Sequence, residues 1–404
     1  MNDVLKQLYA RAPAGMKLGL DVMRNACAQF GHPERSFEVA HIAGTNGKGS
    51  VAAMLESMAR HAGRRTGLYT SPHLSRFAER IRIDGEPIGD ELLIPILGDV
   101  IAKCPDLTFF EIATLCAFLA FREAKVDLAV IEVGLGGRLD ATNVIPSPRV
   151  TAVTHIALDH ESRLGRDVAS IAREKAAIAK PRVDLIVGAV DAHVAAAIAA
   201  EAHARGGMMS FAEHDVDALA IAQSVTLPLA GQHQVRNATV AAALGRRLGI
   251  GAESIRAGLE SVRWPGRIET VSTPEGDILL DAAHNPDGAE ALATYLRSGA
   301  LRWSSRALVF GTFDDKDWHA MISSLAPLFS HRFYVSPLGR AATHPEAIAS
   351  AFPGNTPPTT AEAIASARKA AGPHGVVVVT GSISLVGEVR GRLLGLKNDP
   401  SVAL

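Results

Sequence analysis

Short Val- and Ile-rich apolar runs alternate along this chain with longer Ala- and Leu-rich stretches of helical period, and that alternation constrains the fold more than any other feature. Runs at 37–43, 127–133, 149–157, 183–189, 278–281, 307–311 and 375–380 predict strands, and stretches at 49–61, 112–124, 168–180, 192–205, 237–248, 287–297 and 361–371 predict helices. Strand–helix alternation builds βα units and a mostly parallel α/β sheet. Most of the runs are continuously apolar, as strands buried on both faces are. The chain has 404 residues, enough for two or three domains at roughly 150 residues each. The sharpest break is Trp264-Pro265-Gly266-Arg267, where a Pro-Gly pair follows a helical stretch (252–262) and precedes fresh βα alternation. It predicts a larger domain over 1–264 and a smaller one over 265–404.

Charge and composition exclude several functions. Lys and Arg number 41 against 42 Asp and Glu, a net charge of −1, so no basic surface for nucleic acid or anionic lipid is expected. Cys27, Cys104 and Cys116 are scattered, form no metal-ligand pattern and leave one thiol over, which fits a reduced cytoplasm. The first residues lack the apolar segment of a signal peptide, and no run reaches the ~18 apolar residues of a membrane span. The expectation is a cytoplasmic protein that neither crosses nor binds a membrane.

The clearest local motif is His41-Ile42-Ala43-Gly44-Thr45-Asn46-Gly47-Lys48-Gly49-Ser50. A strand enters a Gly-rich turn and a helix follows, so backbone N–H groups at a helix start can point at an anion. Gly47 and Gly49 let backbone approach it, Lys48 neutralises outer phosphates, and Ser50 reaches phosphate or Mg²⁺. The common P-loop has a glycine five residues before Gly47, where this chain has Ile42, so the loop is a variant.

Other polar residues stand where strands are expected to end, which is where open α/β sheets bind ligands. Glu132 closes one apolar run and precedes Gly134, Gly136 and Gly137; Ser71 follows another; His160 follows a third. Hydroxyl, carboxylate and one imidazole favour Mg²⁺ over zinc. In the smaller domain Asp281 ends a strand and suits a ribose diol, with His284 placed for a nucleotide ring or phosphate, while Asn285-Pro286 reads as a helix cap.

These motifs carry a resemblance. The segments 44–50 (G-T-N-G-K-G-S), 69–74 (Y-T-S-P-H-L) and 132–143 (E-V-G-L-G-G-R-L-D-A-T-N) resemble the Mur ligase superfamily. Within it they most resemble the bifunctional dihydrofolate synthase/folylpolyglutamate synthase family, as do Leu158-Asp159-His160, Arg173-Glu174-Lys175-Ala176, Gly231-Gln232-His233-Gln234, Asn237-Ala238, Pro265-Gly266-Arg267 and 281–286. The likeness runs in order over residues 18–290, with 311–317 and 380–382 beyond, while 320–375 adds little. The resemblance implies a P-loop-type, mostly parallel sheet domain (1–264) holding ATP and a pterin, then a smaller Rossmann-like α/β ligase domain (265–404) closing over ATP and binding glutamate.

It also implies roles. Gly47, Lys48, Gly49, Ser50, Asn237, Arg267, Asp281 and His284 would hold ATP; Ser71, Glu132, His160 and Lys175 would hold Mg²⁺, with two ions expected. The pterin substrate would meet Leu18, Gly19 and Leu20, then Thr108, Phe109, Phe110 and Glu111, then Leu139, Asp140 and Ala141. Lys48, Glu132, His160 and Lys175 would serve catalysis. Lys175 falls on the apolar stripe of its helix with Val168, Ile171 and Ile178, and a buried amine loses its proton and can take up CO₂. A carbamate there, to which the resemblance also points, would turn a cation into an anionic metal ligand.

The implied reaction joins L-glutamate to 7,8-dihydropteroate and to tetrahydrofolyl-(poly)glutamate through an acyl phosphate, by a monomer releasing ADP and phosphate. Alternatives are folylpolyglutamate synthase activity alone or a Mur-type ligase for another substrate. The cell-wall members carry an N-terminal UDP-binding domain, for which the residues before Gly44 leave no room. A nucleotide switch would explain 47–50 but neither Lys175 nor Asp281.

Overall fold

The computed structural model describes residues 3–12, 19–165, 167–298, 303–339 and 341–399. The apolar runs become strands of two separate sheets. The first contains β1 (Glu38–Ala43), β2 (Thr66–Tyr69), β3 (Ile81–Ile83), β4 (Glu86–Pro87), β5 (Leu128–Glu132), β6 (Val150–Val153), β7 (Asp184–Val187) and β8 (Met208–Phe211). Their order is β4-β3-β2-β5-β1-β6-β7-β8, parallel from β2 through β8 and antiparallel only at β3 and β4. The second contains β9 (Glu269–Thr273), β10 (Gly276–Leu280), β11 (Arg306–Phe310), β12 (His331–Tyr334) and β13 (Val376–Thr380), ordered β12-β11-β13-β10-β9 with only β9 antiparallel. This is the mixed α/β architecture, with a large parallel-dominated sheet and a second sheet unit, that the alternation predicts.

The period of two explains how the first sheet is covered. Val39, Ala129 and Ile131 pack against the helix Phe109–Glu123, while Ala40, Ile42, Leu128 and Val130 face the helices Lys48–His61, Gln232–Arg247 and Ala252–Ser261. With both faces occupied, polar side chains on the central strands can reach a ligand only beyond a strand end. The last residue of β5 is Glu132, and the phosphate loop begins one residue past β1.

The differences from the sequence reading have local causes. The run 149–157 pairs only over Val150–Val153, because Thr154 then donates to the carbonyl of Asn46 at 2.7 Å and the His155 carbonyl accepts from Thr45 N at 2.7 Å. The helix at 168–180 stops at Ala176 in a turn ahead of Pro181. Strand β9, Glu-Thr-Val-Ser-Thr, is a polar sheet edge and shows no apolar run. Among the described residues no helix is long and apolar enough to cross a membrane, and all three cysteines are free and buried.

The helix carrying the phosphate loop is held by close packing at Gly258, where an added Cβ would strike the backbone of Met58. Gly258→Ala should push the helices Lys48–His61 and Ala252–Ser261 apart and destabilise the fold by about 1–3 kcal/mol. A urea-unfolding midpoint that matches the unsubstituted protein would contradict this packing.

Candidate active site

Beyond β1 the chain takes positive φ at Gly44 (151°) and Gly47 (87°) and enters the helix Lys48–His61. These glycines make room for protein as well as ligand. A Cβ on Gly47 would meet the amide of Asn237, and one on Gly49 would lie 2.9 Å from the Trp264 ring. Asn237 donates to Gln234 at 3.0 Å, and Gln234 to the Ser50 hydroxyl at 3.4 Å, so Asn237 and Ser50 stand on one network. Lys48 Nζ donates to the Thr45 carbonyl at 3.0 Å and lies 3.9 Å from Glu132.

A single cavity of about 530 Å³ takes in Gly47, Lys48, Gly49, Ser50, Ser71, Glu132, His160, Lys175, Asn237, Arg267, Asp281 and His284. The structure therefore brings together the expected nucleotide, metal and catalytic residues from both sheet units. Glu132 is buried and accepts from Ser71 N at 3.2 Å; burial raises its pKa, while Lys48, the Ser71 N–H, Arg267 and Arg80 oppose the rise. The Ser71 hydroxyl is buried with no hydrogen-bond partner, which suits a metal ligand. His160 lies seven residues past β6, at φ 52°, and burial pushes its pKa down to about 3, leaving a neutral ring. Lys175 is buried, and desolvation together with Lys48 lowers its pKa to about 7. Among the described residues no three or more His, Cys, Asp or Glu side chains converge as a metal cluster, so a divalent ion here depends on Ser71, Lys175 chemistry or the nucleotide phosphates for its remaining ligands.

Asp281 does more than face the cavity. One carboxylate oxygen accepts from Ile268 N and the other from Ala283 N, both at 3.0 Å, so it braces the corner that carries Arg267 as well as facing the cavity. Burial pushes its pKa up to about 6 against the pull of Arg267. His284 Nδ1 donates to the Ala282 carbonyl at 2.9 Å, leaving Nε2 bare and 3.9 Å from Asp159.

Among the described residues, Phe110 is the one expected pterin contact that lines this cavity. Thr108 and Glu111 form a reciprocal capping box on the helix Phe109–Glu123. Phe109 stacks edge-on with Phe77 at 5.9 Å. Asp140 caps the turn Ala141–Val144, accepting from Thr142 N at 3.0 Å and Leu135 N at 2.9 Å; Ala141 is buried and Leu139 half-buried behind it. Leu20 is buried, Gly19 has φ 138°, and Leu18 lies outside the described residues.

The hub that sequence reasoning missed is Asp159, quoted there only as the neighbour of His160. Lys316 from the second sheet unit donates to it at 2.7 Å and Asn285 at 3.1 Å. Burial alone would raise its pKa, but His284, His160 and Lys316 hold it well below the carboxylate range. Beside it Asn46 and Asn285 exchange amide hydrogen bonds at 3.1 and 3.0 Å, Asn46 donates to Asp287 at 2.7 Å, and His155 meets Asp287 at 3.1 Å. No residue spacing signals these partners, which are more than 120 positions apart.

A phosphate-type loop facing a metal-suited carboxylate and hydroxyl, closed by a second α/β unit, defines an ATP-dependent amide-forming ligase of the Mur type. Residues 42–245 match the Mur ligase middle domain and 266–383 the Mur ligase glutamate ligase domain. The chain is 34% identical to the folylpolyglutamate synthase of Lacticaseibacillus casei over 91% of its own length and 93% of that protein. It is 35% identical to a probable bifunctional folylpolyglutamate synthase/dihydropteroate synthase of Haloferax volcanii, of which it spans about half the length (48%). The structure matches Mycobacterium tuberculosis folylpolyglutamate synthase complexed with ADP and AMPPCP, with a TM-score of 0.86, 31% identity and 99% of both chains covered. It also matches a bifunctional folylpolyglutamate synthase/dihydrofolate synthase with Mn, AMPPNP and L-glutamate bound, with a TM-score of 0.85, 32% identity and 97% and 98% of the two chains covered. The chain belongs to the dihydrofolate synthase/folylpolyglutamate synthase family of Mur ligases.

The interdomain pair generates a pH dependence. The hydrogen bond that His155 donates to Asp287 raises the His155 pKa above the ordinary imidazole value, with burial opposing. A pKa raised in the closed state means that the pair's contribution is complete at low pH and is lost as pH rises through the raised value. Nucleotide affinity should therefore weaken as pH rises through the raised His155 value in the wild type, and less so in His155→Gln. Parallel affinity profiles for the two proteins would refute this.

Proposed function

We propose that this protein joins L-glutamate to 7,8-dihydropteroate, giving dihydrofolate, and to tetrahydrofolyl-(poly)glutamates, with ATP consumed to ADP and phosphate. The observation that carries the reading is the single cavity in which Lys48, Ser71, Glu132 and Lys175 from one sheet unit face Arg267, Asp281 and Lys316 from the other. The relatives named above, with their ATP analogues, Mn and L-glutamate, support it. We keep the division between domains at 264/265 and a cytoplasmic location, and read the molecule as a monomer, a reading supported by both halves of the cavity coming from one chain.

The acceptor's carboxylate is a poor acyl donor. One of its oxygens attacks the γ-phosphorus, the bond to the β–γ bridging oxygen breaks, and ADP leaves. The amine of glutamate then attacks the acyl carbon, the carbon–oxygen bond to phosphate breaks, phosphate leaves and the amine loses a proton. Lys48 and the N–H groups at the start of its helix hold the phosphoryl oxygens, so charge neutralisation and positioning are the protein's main work. The clasp around Asp159 closes the two units and keeps water from the acyl phosphate. Ser71, Glu132, His160 and a carbamate on Lys175 would hold divalent ions, which supply Lewis-acid neutralisation of phosphate charge. An amine with a pKa near 7 in a buried site is the form that adds CO₂.

ADP release should need Mg²⁺, glutamate and either dihydropteroate or tetrahydrofolate, and Lys48→Ala should cut turnover by ~10³-fold or more. Full-rate turnover with ATP alone would remove the ligase reading. The carbamate predicts that rigorous bicarbonate depletion lowers activity and that added bicarbonate restores it, with a ¹³C carbamate resonance from labelled bicarbonate that disappears in Lys175→Ala. Activity indifferent to bicarbonate, with no such resonance, would dismiss it.

A further inference from the structure

Arg80 is fully buried at the end of the turn Phe77–Arg80, one of the largest side chains in the molecule to be so. Its Nε donates to His73 Nδ1 at 2.8 Å, which fixes the plane of the guanidinium. Burial keeps His73 neutral, so its Nδ1 is free to accept. The guanidinium lies 5.2 Å from the centroid of the Phe109 ring. Both terminal nitrogens, Nη1 and Nη2, are buried and have no hydrogen-bond partner. Arg80 also lines the cavity, together with Ser71, His73, Phe110 and Glu132.

The neighbouring carboxylates are engaged elsewhere. Glu79 accepts from the backbone of Leu74, Ser75 and Arg76, and Glu132 is held by Ser71 N and faces Lys48. A guanidinium does not lose its charge in a protein, so a fork left without partners in a cavity wall calls for an anion from outside. Its two parallel donors match a carboxylate.

The function proposed above, on which this inference rests, supplies two kinds of acceptor. Dihydropteroate has one carboxylate, the one that must attack phosphorus. A glutamate-bearing folate has a γ-carboxylate that reacts and an α-carboxylate that must not. A bidentate guanidinium withdraws charge from the oxygens it binds and would blunt a nucleophile, so it suits the carboxylate that is held rather than the one that reacts. Phe110 and His73 line the cavity with it, and Phe109 backs the guanidinium from the core, an aromatic setting suited to the acceptor rather than to free glutamate. We propose that Arg80 grips the α-carboxylate of the acceptor's terminal glutamate, presents the γ-carboxylate to the phosphate loop, and so favours glutamate-bearing folates over pteroate.

The test is ADP release at saturating ATP and glutamate, with tetrahydrofolylmonoglutamate and with dihydropteroate, for wild type and Arg80→Gln. The ratio of kcat/KM for the folate to that for pteroate should fall at least about tenfold in the variant, mainly through KM. In the wild type, a tetrahydrofolate whose α-carboxyl is a primary amide should lose at least about tenfold in kcat/KM, and the variant should show little of that loss. An unchanged ratio, an amide penalty equal in both proteins, or a variant whose KM rises only for glutamate would overturn the assignment. If Arg80→Gln fails to fold, the wild type decides by itself, since the amide reacting as well as the acid would overturn it. A wild type that releases no ADP with either acceptor would overturn the functional reading and this inference together, whereas an unchanged ratio in an active enzyme defeats the inference alone.

Discussion

Burial of β1, β5 and β6 on both faces leaves the central sheet one polar outlet, its carboxyl edge. Side chains such as Ile42, Val130 and Ile131 are fully buried and make the strands' positions non-negotiable. Because all three strands are parallel, their carboxyl ends fall side by side. The phosphate loop after β1, Glu132 at the end of β5 and Thr154 after β6 are neighbours for that reason. Thr154 shows the dependence directly, since its hydroxyl leaves the strand pattern to accept the role of a loop support, donating to Asn46.

The second constraint is electrostatic. The cavity gathers Lys48, Lys175, Arg80, Arg267 and Lys316 among carboxylates that include Glu132, Asp159 and Asp281. Glu132 and Asp159 respond in opposite directions. Asp159 has Lys316 at 2.7 Å and stays ionised, whereas for Glu132, with Lys48 at 3.9 Å, desolvation wins. Lys175 answers the same pressure by giving up its proton near neutrality, an answer that Arg80 does not have.

Closure is the third element, and its bonds are short-range and directional. Asn46 sits inside the phosphate loop and makes three side-chain hydrogen bonds to Asn285 and Asp287 at the start of the helix Pro286–Arg297. Asn285 also caps that helix by accepting from Gly288 N at 2.9 Å. The residue that starts the helix therefore also clasps the loop and reaches Asp159. A change at Asn285 would be felt in helix stability, domain closure and nucleotide binding at once.

Local pattern was enough to read the βα alternation, the phosphate loop and the carboxylate at the end of β5, because burial and backbone conformation impose them on consecutive residues. The same held for Lys175, whose helical spacing put it on the apolar face where the structure buries it. The capping signature Thr108-x-x-Glu111 was equally visible in the sequence, and the structure forms that cap. Edge strands such as β9 and β12 escaped because a strand with one solvated side has no continuous apolar run. The clasp of Asn46, His155, Asp159, Asn285, Asp287 and Lys316 and the stranded fork of Arg80 were beyond sequence reading altogether. Their partners are set by how two sheets dock and how a turn packs on Phe109, and a hydrogen bond between residues far apart in the chain leaves no periodicity in it. The sequence by itself determined which segments are strands and helices and where a phosphate could bind; the tertiary structure alone decided which charges meet, because that depends on distances no spacing encodes.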